Sequence, residues 1–305
     1  MAITKEIWQK DIVDNLFPDN SFARHARNAD NFVKGGAVVH IPVAGASTAV
    51  TKNLGVFPQV AAQRNDTDIT YALDTYYILP MLIKNIDQYE LEYDKRMSVT
   101  GEMIKTLVSV VNKGLLYRWG PAAAQTILTT GALSGADLID GTATGQRRLF
   151  TKTEFKNAAK AMDKKNLVGT RYALLTAAHY HQFFESLSDA EKADVGRVAD
   201  LKTGVVGKYM NYNIMMRSAA LRYRGADGAY VPIDETDAAF AANAADRAAS
   251  LFWDDSCVER AMGDVDVFDD PGNPLYYGDV YSANLRVGGR IVRTDGVIAA
   301  VEANV

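Results

Sequence analysis

DTDITYALDTYYILPMLIKNIDQYELEYDKRMSVTGEMIKTLVSVVNKGLLYRWGP, residues 66–121, carries two hydrophobic periods in succession. Ile69, Tyr71 and Leu73 alternate with Asp68, Thr70 and Asp74, the period of two that marks a strand with one wet face. Pro80 removes a ladder donor, so a strand here ends at Pro80 or lies on a sheet edge. Asp87 with Glu90 three residues on predicts a capping box. Met97, Ile104, Leu107, Val108, Val111 and Leu115 then make a helical stripe that no proline interrupts until Gly120-Pro121. Roughly 30 residues at ~1.5 Å each give a helix of ~45 Å, well above the ordinary globular length.

Towards the N-terminus, Gly35-Gly36 opens an irregular β excursion that runs to about Asn85. Ala37–Val43, Ala49–Lys52 and Asp68–Tyr77 are its β-like runs, broken by glycine, asparagine, Pro42 and Pro58. Before it, Thr4–Leu16 carries a helical stripe of Ile7, Trp8, Ile12, Val13 and Leu16, closed by Phe17-Pro18. Over residues 1–34 five Lys or Arg balance five Asp or Glu, so this arm is neutral; its removal is expected to leave a folded core. A hairpin over 36–85, with ~25 residues per limb at ~3.3 Å, could reach ~80 Å. A compact unit of this length has a radius of gyration of only about 19 Å. A projecting hairpin would leave Val56, Phe57, Val60, Tyr71, Tyr76 and Tyr77 uncovered until a neighbour buries them. With Ile7, Trp8, Ile12, Leu16 and Phe17 of the arm, these are the predicted inter-subunit contacts. The alternative is an ordinary sheet folded back on its own body.

Towards the C-terminus, Ala122–Gly145 reads as a surface connector rich in glycine, alanine and threonine. Thr151 with Glu154 caps a helix holding Phe155, Ala159 and Met162; Arg171–Thr176 is a strand; Ala177–Leu187 is a helix; Ser188 with Glu191 caps another. Gly204–Ser218 predicts strand, turn, strand around Lys208–Asn213. The alanine-rich Thr236–Ala249 predicts a helix. Leu251–Trp253 and Val265–Phe268 read as short strands, and Tyr281, Ala283, Leu285 and Val287 as a longer one. Ser134-Gly135 and Gly288-Gly289 read as turns. Arg290–Arg293, a Thr294-Asp295-Gly296 turn and the strand Val297–Val301 finish the chain. Helix and strand mix without a βαβ rhythm, which makes the fold class α+β.

Composition excludes several functions. The chain has 305 residues, 48% hydrophobic and 23% charged, with net charge −4; nothing global suggests a nucleic-acid binder. One cysteine, Cys257, forbids an internal disulfide. Lys5, Glu6, Lys10 and Asp11 interrupt any secretory signal, and no run approaches ~18 apolar residues, so a soluble, cytosolic protein is expected. His179 and His181, two apart on a helix, face opposite ways and cannot share a metal; His181 and Glu185 make an i,i+4 pair. Acidic neighbours disfavour a Cys257 thiolate. Gly204-Val-Val-Gly207-Lys208 lacks the spacing and following helix of a phosphate loop. Asp254-Asp255 and Asp269-Asp270 read as solvated turns. No catalytic, cofactor or metal site is expected, and no cofactor.

Four segments resemble those of phage coat proteins, especially from phages infecting Bacteroidetes. They are Ala29–Pro42, Asp66–Asp74, Leu91–Lys95 and the ending Asn284–Arg293. Together with the order of arm, β excursion, long helix, mixed body and C-terminal return, they resemble the Hong Kong 97-type capsid family. The resemblance implies an N-terminal arm over 1–34 and an extended loop over 35–86 lying on a neighbouring subunit. It implies a spine helix of a peripheral domain over 87–120, a mainly axial domain over 121–250, and C-terminal strands over 251–305 that join the two. It further implies a structural major capsid protein, pentamers and hexamers of itself, and a shell around double-stranded DNA in the virion, assembled in the host cytoplasm. Portal, scaffold or decoration proteins would be its other partners. An encapsulin-type nanocompartment is the alternative on the same fold.

Overall fold

The computed structural model describes residues 10, 12, 15, 21–34, 37–43, 52, 67–84, 95–136, 138, 141–167, 169–200, 202–225 and 229–303. Short 3-10 turns aside, the first half runs β1 (Arg27–Asn28), β2 (Val33–Lys34), β3 (Val38–Val43), β4 (Thr67–Ala72), β5 (Asp74–Lys84), α1 (Lys95–Trp119), β6 (Thr126–Leu128), β7 (Leu133–Gly135) and β8 (Gln146–Arg148). The second half runs α2 (Lys152–Asp163), β9 (Arg171–Thr176), α3 (Ala177–Glu185), α4 (Asp189–Gly196), β10 (Val205–Tyr209), β11 (Tyr212–Arg217), β12 (Leu221–Arg224) and β13 (Val231–Pro232). β14 (Arg247–Asp254), β15 (Val258–Asn273), β16 (Gly278–Ile291) and β17 (Val297–Val301) complete it.

Two sheets organise the molecule. The larger has the order β10-β11-β9-β14-β12-β13, with β17 on the other side of β14 and β6 parallel to β17. All eight residues of β14 are buried, as expected of a central strand covered on both faces. The second sheet, β1-β15-β16-β5, is built on a long antiparallel hairpin of 16- and 14-residue strands. The chain passes from β14 into this hairpin and returns as β17, which ties the two sheets together. One hydrophobic core runs through both, from Phe22, Leu107 and Trp119 to Phe155, Phe252 and Val301.

α1 spans 25 described residues, ~37 Å at ~1.5 Å per residue. Its buried face is Met103, Leu107, Val111, Leu115, Leu116 and Trp119, while Ile104 and Val108 flank it half-buried. The predicted box at Asp87 and Glu90 lies outside the described residues. The boxes at Thr151/Glu154 and Ser188/Glu191 are formed, each with both reciprocal hydrogen bonds.

Several sequence expectations need correction. Residues 237–246 turn and Arg247–Ala249 begin β14, so Thr236–Ala249 is not a helix. Asp237 and Asn243 accept from the N–H groups of Ala239 and Ala245 at 2.9 Å, local bonds that compete with helix formation. Ala122–Gly145 is more than a connector, because β6 within it joins the large sheet. Ser134-Gly135 belongs to β7, paired with β8. The run 68–77 is divided at Leu73 between β4, in the sheet β2-β3-β4, and β5. Of the two readings at Pro80 the sheet edge holds: Pro80 lies inside β5, β5 is an edge strand, and its register against β16 shifts between Ile78 and Met81. Residues 21–34 are woven into the body. Phe22 packs edge-on to Trp119 at 5.6 Å, Trp253 Nε1 donates to the His25 carbonyl at 2.8 Å, and β1 runs parallel to β15. Removing 1–34 would therefore open the core.

Gly288-Gly289 does not turn the chain: both residues sit within β16. They are glycines because a Cβ at Gly289 would lie 2.5 Å from Leu115 Cδ1 and 2.8 Å from the Glu259 carbonyl oxygen, and one at Gly288 would lie 2.8 Å from Leu73 Cδ2. Gly289→Ala is expected to lower stability by roughly 1–3 kcal/mol, the usual cost of overpacking. Gly135→Ala, which would meet nothing within 4 Å, should leave a urea transition almost unmoved. Equal transitions for the two variants would refute this account of Gly289.

Candidate assembly surface

Between Arg260 and Arg286 the sequence holds Asp264, Asp266, Asp269, Asp270 and Asp279 and no Lys or Arg. This stretch is most of the β15–β16 hairpin. Val267, Ala283, Leu285 and Val287 form its buried face, joined to the core that includes α1. At the tip, Pro271-Gly272-Asn273-Pro274 supplies turn chemistry. Asn273 Oδ1 accepts from the Leu275 N–H at 2.9 Å, Asn273 Nδ2 donates to Asp270 at 2.6 Å, and the Gly272 N–H donates to Asp279 at 2.8 Å. The next three residues, Leu275, Tyr276 and Tyr277, are thrown outward; Leu275 is 81% and Tyr277 80% exposed. On β5, at the edge of the same sheet, Tyr77 is 72% and Leu79 81% exposed. The result is an acidic hairpin with an apolar, aromatic tip and an apolar edge. Surface of this kind marks an interaction site.

The predicted contact residues fall into three groups. Ile7, Trp8, Leu16, Phe17, Val56, Phe57 and Val60 lie outside the described residues. Ile12, Tyr71 and Tyr76 are at least half-covered by their own chain. Ile12 joins the main core, and Tyr76 packs against it with its hydroxyl over Gly114. Tyr71 lies under the Arg290 guanidinium, 5.4 Å from the ring centre, and Arg290 is held by Glu259 at 2.6 Å. Burial, with the Glu259 charge beside it, pushes the Tyr71 hydroxyl well above the usual phenol range; burial and Asp74 do the same for Tyr76. Tyr77 alone of the three described excursion tyrosines points to solvent. Leu79, Leu275, Tyr276 and Tyr277 were missed. The signal available for the tip was a Leu-Tyr-Tyr run in a proline-glycine turn inside a stretch without a single basic residue.

The chemical candidates are absorbed by the fold. His179 is buried; its Nδ1 lies 2.7 Å from Ser250 Oγ and its Nε2 3.4 Å from Glu302 Oε1. Ser250 and Glu302 are buried as well, so this Ser–His–Glu group has no path for a substrate and serves to anchor α3 to β14 and the end of β17. Cys257 is buried; burial pushes its thiol up, and Asp254 and Asp255 add to the rise. Gly207 lies in β10 and Gly204 before it, where no helix offers N–H groups. Asp254 is the buried last residue of β14, accepting from the Ser256 N–H and hydroxyl at 3.1 and 2.6 Å. Among the described residues no three His, Cys, Asp or Glu side chains gather as metal ligands, and no helix is long and apolar enough to cross a membrane.

No protein-family model and no curated protein matches the chain. Solved structures do. The capsid of the cyanophage P-SCSP1u is 16% identical with a TM-score of 0.64, over 92% of this chain and 87% of that one. The capsid of Ralstonia phage GP4 is 13% identical with a TM-score of 0.60, over 96% and 90%. A virus-like particle from Pyrococcus furiosus is 9% identical with a TM-score of 0.54, over 97% and 99%. The likeness extends over nearly the full length of each chain, and the protein has the Hong Kong 97-like α+β fold.

Proposed function

We propose that the protein is a shell subunit, the major capsid protein of a tailed phage, which closes an icosahedral head around double-stranded DNA. The observation that carries this reading is the uncovered apolar hairpin tip and sheet edge on a fold shared with capsid subunits. A lone chain leaves Tyr77, Leu79, Leu275 and Tyr277 in water; pentamers and hexamers of the same chain would cover them. Of the predicted arm over 1–34, residues 21–34 are its anchor in the body; 35–86 act as extended loop and 87–120 as spine of the peripheral domain. Residues 121–250 form the axial domain, and 251–305 bind the two. The path of the chain from β14 through β15 and β16 back to β17 supports that last assignment. Contacts that are modest singly add over several neighbours. The net charge of −4 suits a wall that encloses DNA without gripping it, since phosphate binding needs Lys and Arg. Portal, scaffold or decoration proteins would complete a virion assembled in the host cytoplasm.

Electron microscopy of the expressed protein tests the reading: closed shells are expected, and a monodisperse monomer at high concentration would overturn it. Leu79→Ser with Tyr77→Ser is expected to leave a folded subunit and abolish shells, since each ~1.4 kcal/mol lost per contact is about tenfold in association and recurs at every subunit. Normal shells from that variant would remove the β5 edge from the interface. The likeness to the archaeal virus-like particle favours a second reading, an encapsulin-type compartment. Enzyme cargo in place of DNA inside purified shells would select it.

A further inference from the structure

α2 carries a row of lysines on its outer side. Lys152, Lys156, Lys160 and Lys164 recur every four residues, and Lys164, the C-cap residue, keeps a helical backbone with φ −59° and ψ −20°. At that spacing the side chains follow one another along one face, ~6 Å apart. Phe155, Ala158, Ala159 and Met162 turn the other side of the helix into the core. Lys152 binds Glu191 at 3.0 Å, and Lys165, past the helix, binds Asp295 at 3.1 Å. Lys156, Lys160 and Lys164 are exposed and make no ion pair among the described residues. Like charges four apart on a helix repel, so the row costs α2 stability until an anionic surface lies against it.

The complementary surface stands on the other sheet. On β15, Asp266, Phe268 and Asp270 alternate with Val267 and Asp269, and sit opposite Asn284, Ser282 and Val280 of β16. Val267 is buried with Ala283 and Leu285 on the face that joins the core, which puts Asp266, Phe268 and Asp270 on the outer face. Both aspartates are exposed, and Phe268 is 51% exposed. From Asp266 to Asp270, four residues at ~3.3 Å, is ~13 Å. From Lys156 to Lys164, eight residues at ~1.5 Å, is ~12 Å. One chain therefore presents a lysine row and an acid–aromatic–acid row of matching length on two different sheets. Phe268 suits the middle lysine, since an ammonium is attracted to a ring face and a lysine stem covers apolar surface.

We propose that α2 of one copy docks on the outer face of β15 of a second copy, Lys156 and Lys164 pairing with Asp266 and Asp270 while Lys160 lies over Phe268. Lys160 and Phe268 are the midpoints of their rows, so they meet whichever way the helix runs along the strand. The inference rests on the shell reading and names one of its contacts. The interface is heterologous, helix face on strand face, which can repeat around a ring or along a lattice. A DNA backbone would match the lysines by charge alone and leave the Asp-Phe-Asp row without a role; a second copy accounts for both rows.

Lys156→Glu with Lys164→Glu should cut shell yield at least ~tenfold by setting like charges against each other across the contact. Adding Asp266→Lys with Asp270→Lys should restore it, a rescue that a structural role for the lysines within their own chain would not allow. In a second arm, chains carrying Lys160→Cys are co-assembled with chains carrying Phe268→Cys and treated with a short bis-maleimide. A cross-linked heterodimer is expected from mixed shells and not from shells of either variant alone; the native Cys257 is buried and does not compete. Normal shell yield from the lysine variant, lost yield that the β15 changes do not rescue, or mixed shells without the cross-link would end this contact and leave the shell reading standing. Normal shells that have lost duplex-DNA binding would assign the lysine row to phosphates instead. Absence of shells from the unaltered protein would end both readings.

Discussion

Phe155→Ala is expected to lower the unfolding free energy by about 3–5 kcal/mol, a third or more of the ~5–15 kcal/mol typical of a domain. Phe155 is fully buried on α2. Its ring meets Phe183 at 4.6 Å, Phe252 at 5.1 Å, Tyr209 at 5.5 Å, and Phe150 and Tyr212 at 5.9 Å. Those partners come from α3, β14, β10, β11 and the loop before α2, so one ring joins helices and strands of the large sheet. Deleting it removes the transfer energy of the side chain and leaves a cavity lined by rigid rings that cannot collapse far. Aromatic pairs contribute roughly 0.5–1.5 kcal/mol beyond area, which places the change in the upper part of the range. Urea titration followed by tryptophan fluorescence checks it. A loss below ~1 kcal/mol would mean that the cluster is not the keystone of the large sheet.

Much of this layer was legible in the sequence because its signals are local. The boxes at Thr151 and Ser188 are spacings of three residues, and both helices start where those spacings say. The turn between β10 and β11 holds Met210 and Asn211 at φ of 45° and 68° and falls inside the predicted Lys208–Asn213. The failures were those where a distant element decided. Alanines in 236–249 follow helix propensity on paper, but Arg247–Ala249 pair with β12 and β17, and this tertiary pairing overrides propensity. Gly288-Gly289 has the composition of a turn, yet the glycines exist to admit Leu73, Leu115 and the Glu259 backbone, from segments 30 to 215 residues away. The exposed tip was missed for the opposite reason. Its three apolar residues look like any short strand until the length of β15 and β16 carries them to a tip where Leu275, Tyr276 and Tyr277 stand exposed.

Asp246→Ala is expected to cost about 3–5 kcal/mol, the usual penalty for breaking a buried ion pair from one side. Asp246 is fully buried and Arg222 is 4% exposed. The carboxylate accepts from Arg224 Nε at 2.6 Å, Arg222 Nη1 at 3.2 Å and the Asn243 N–H at 3.0 Å, and Arg222 also binds Glu235 at 2.6 Å. Without Asp246 two guanidiniums lose their shared anion, and the 237–246 loop loses the tie that carries it into β14. Burial by itself would raise the carboxyl's pKa, but the bonds from Arg224, Asn243 and Arg222 outweigh it and hold the value below the ordinary range. A depressed carboxylate stabilises the fold fully above its unfolded pKa of ~3.9, and that contribution disappears as pH falls through the lower folded value. The gap in unfolding free energy between the native protein and Asp246→Asn, which keeps the volume and discards the charge, should therefore be flat from pH 7 to 5 and shrink below about pH 4. A gap that stays constant down to pH 3 would show that packing of the loop, and not the charge of Asp246, holds the start of β14 in place.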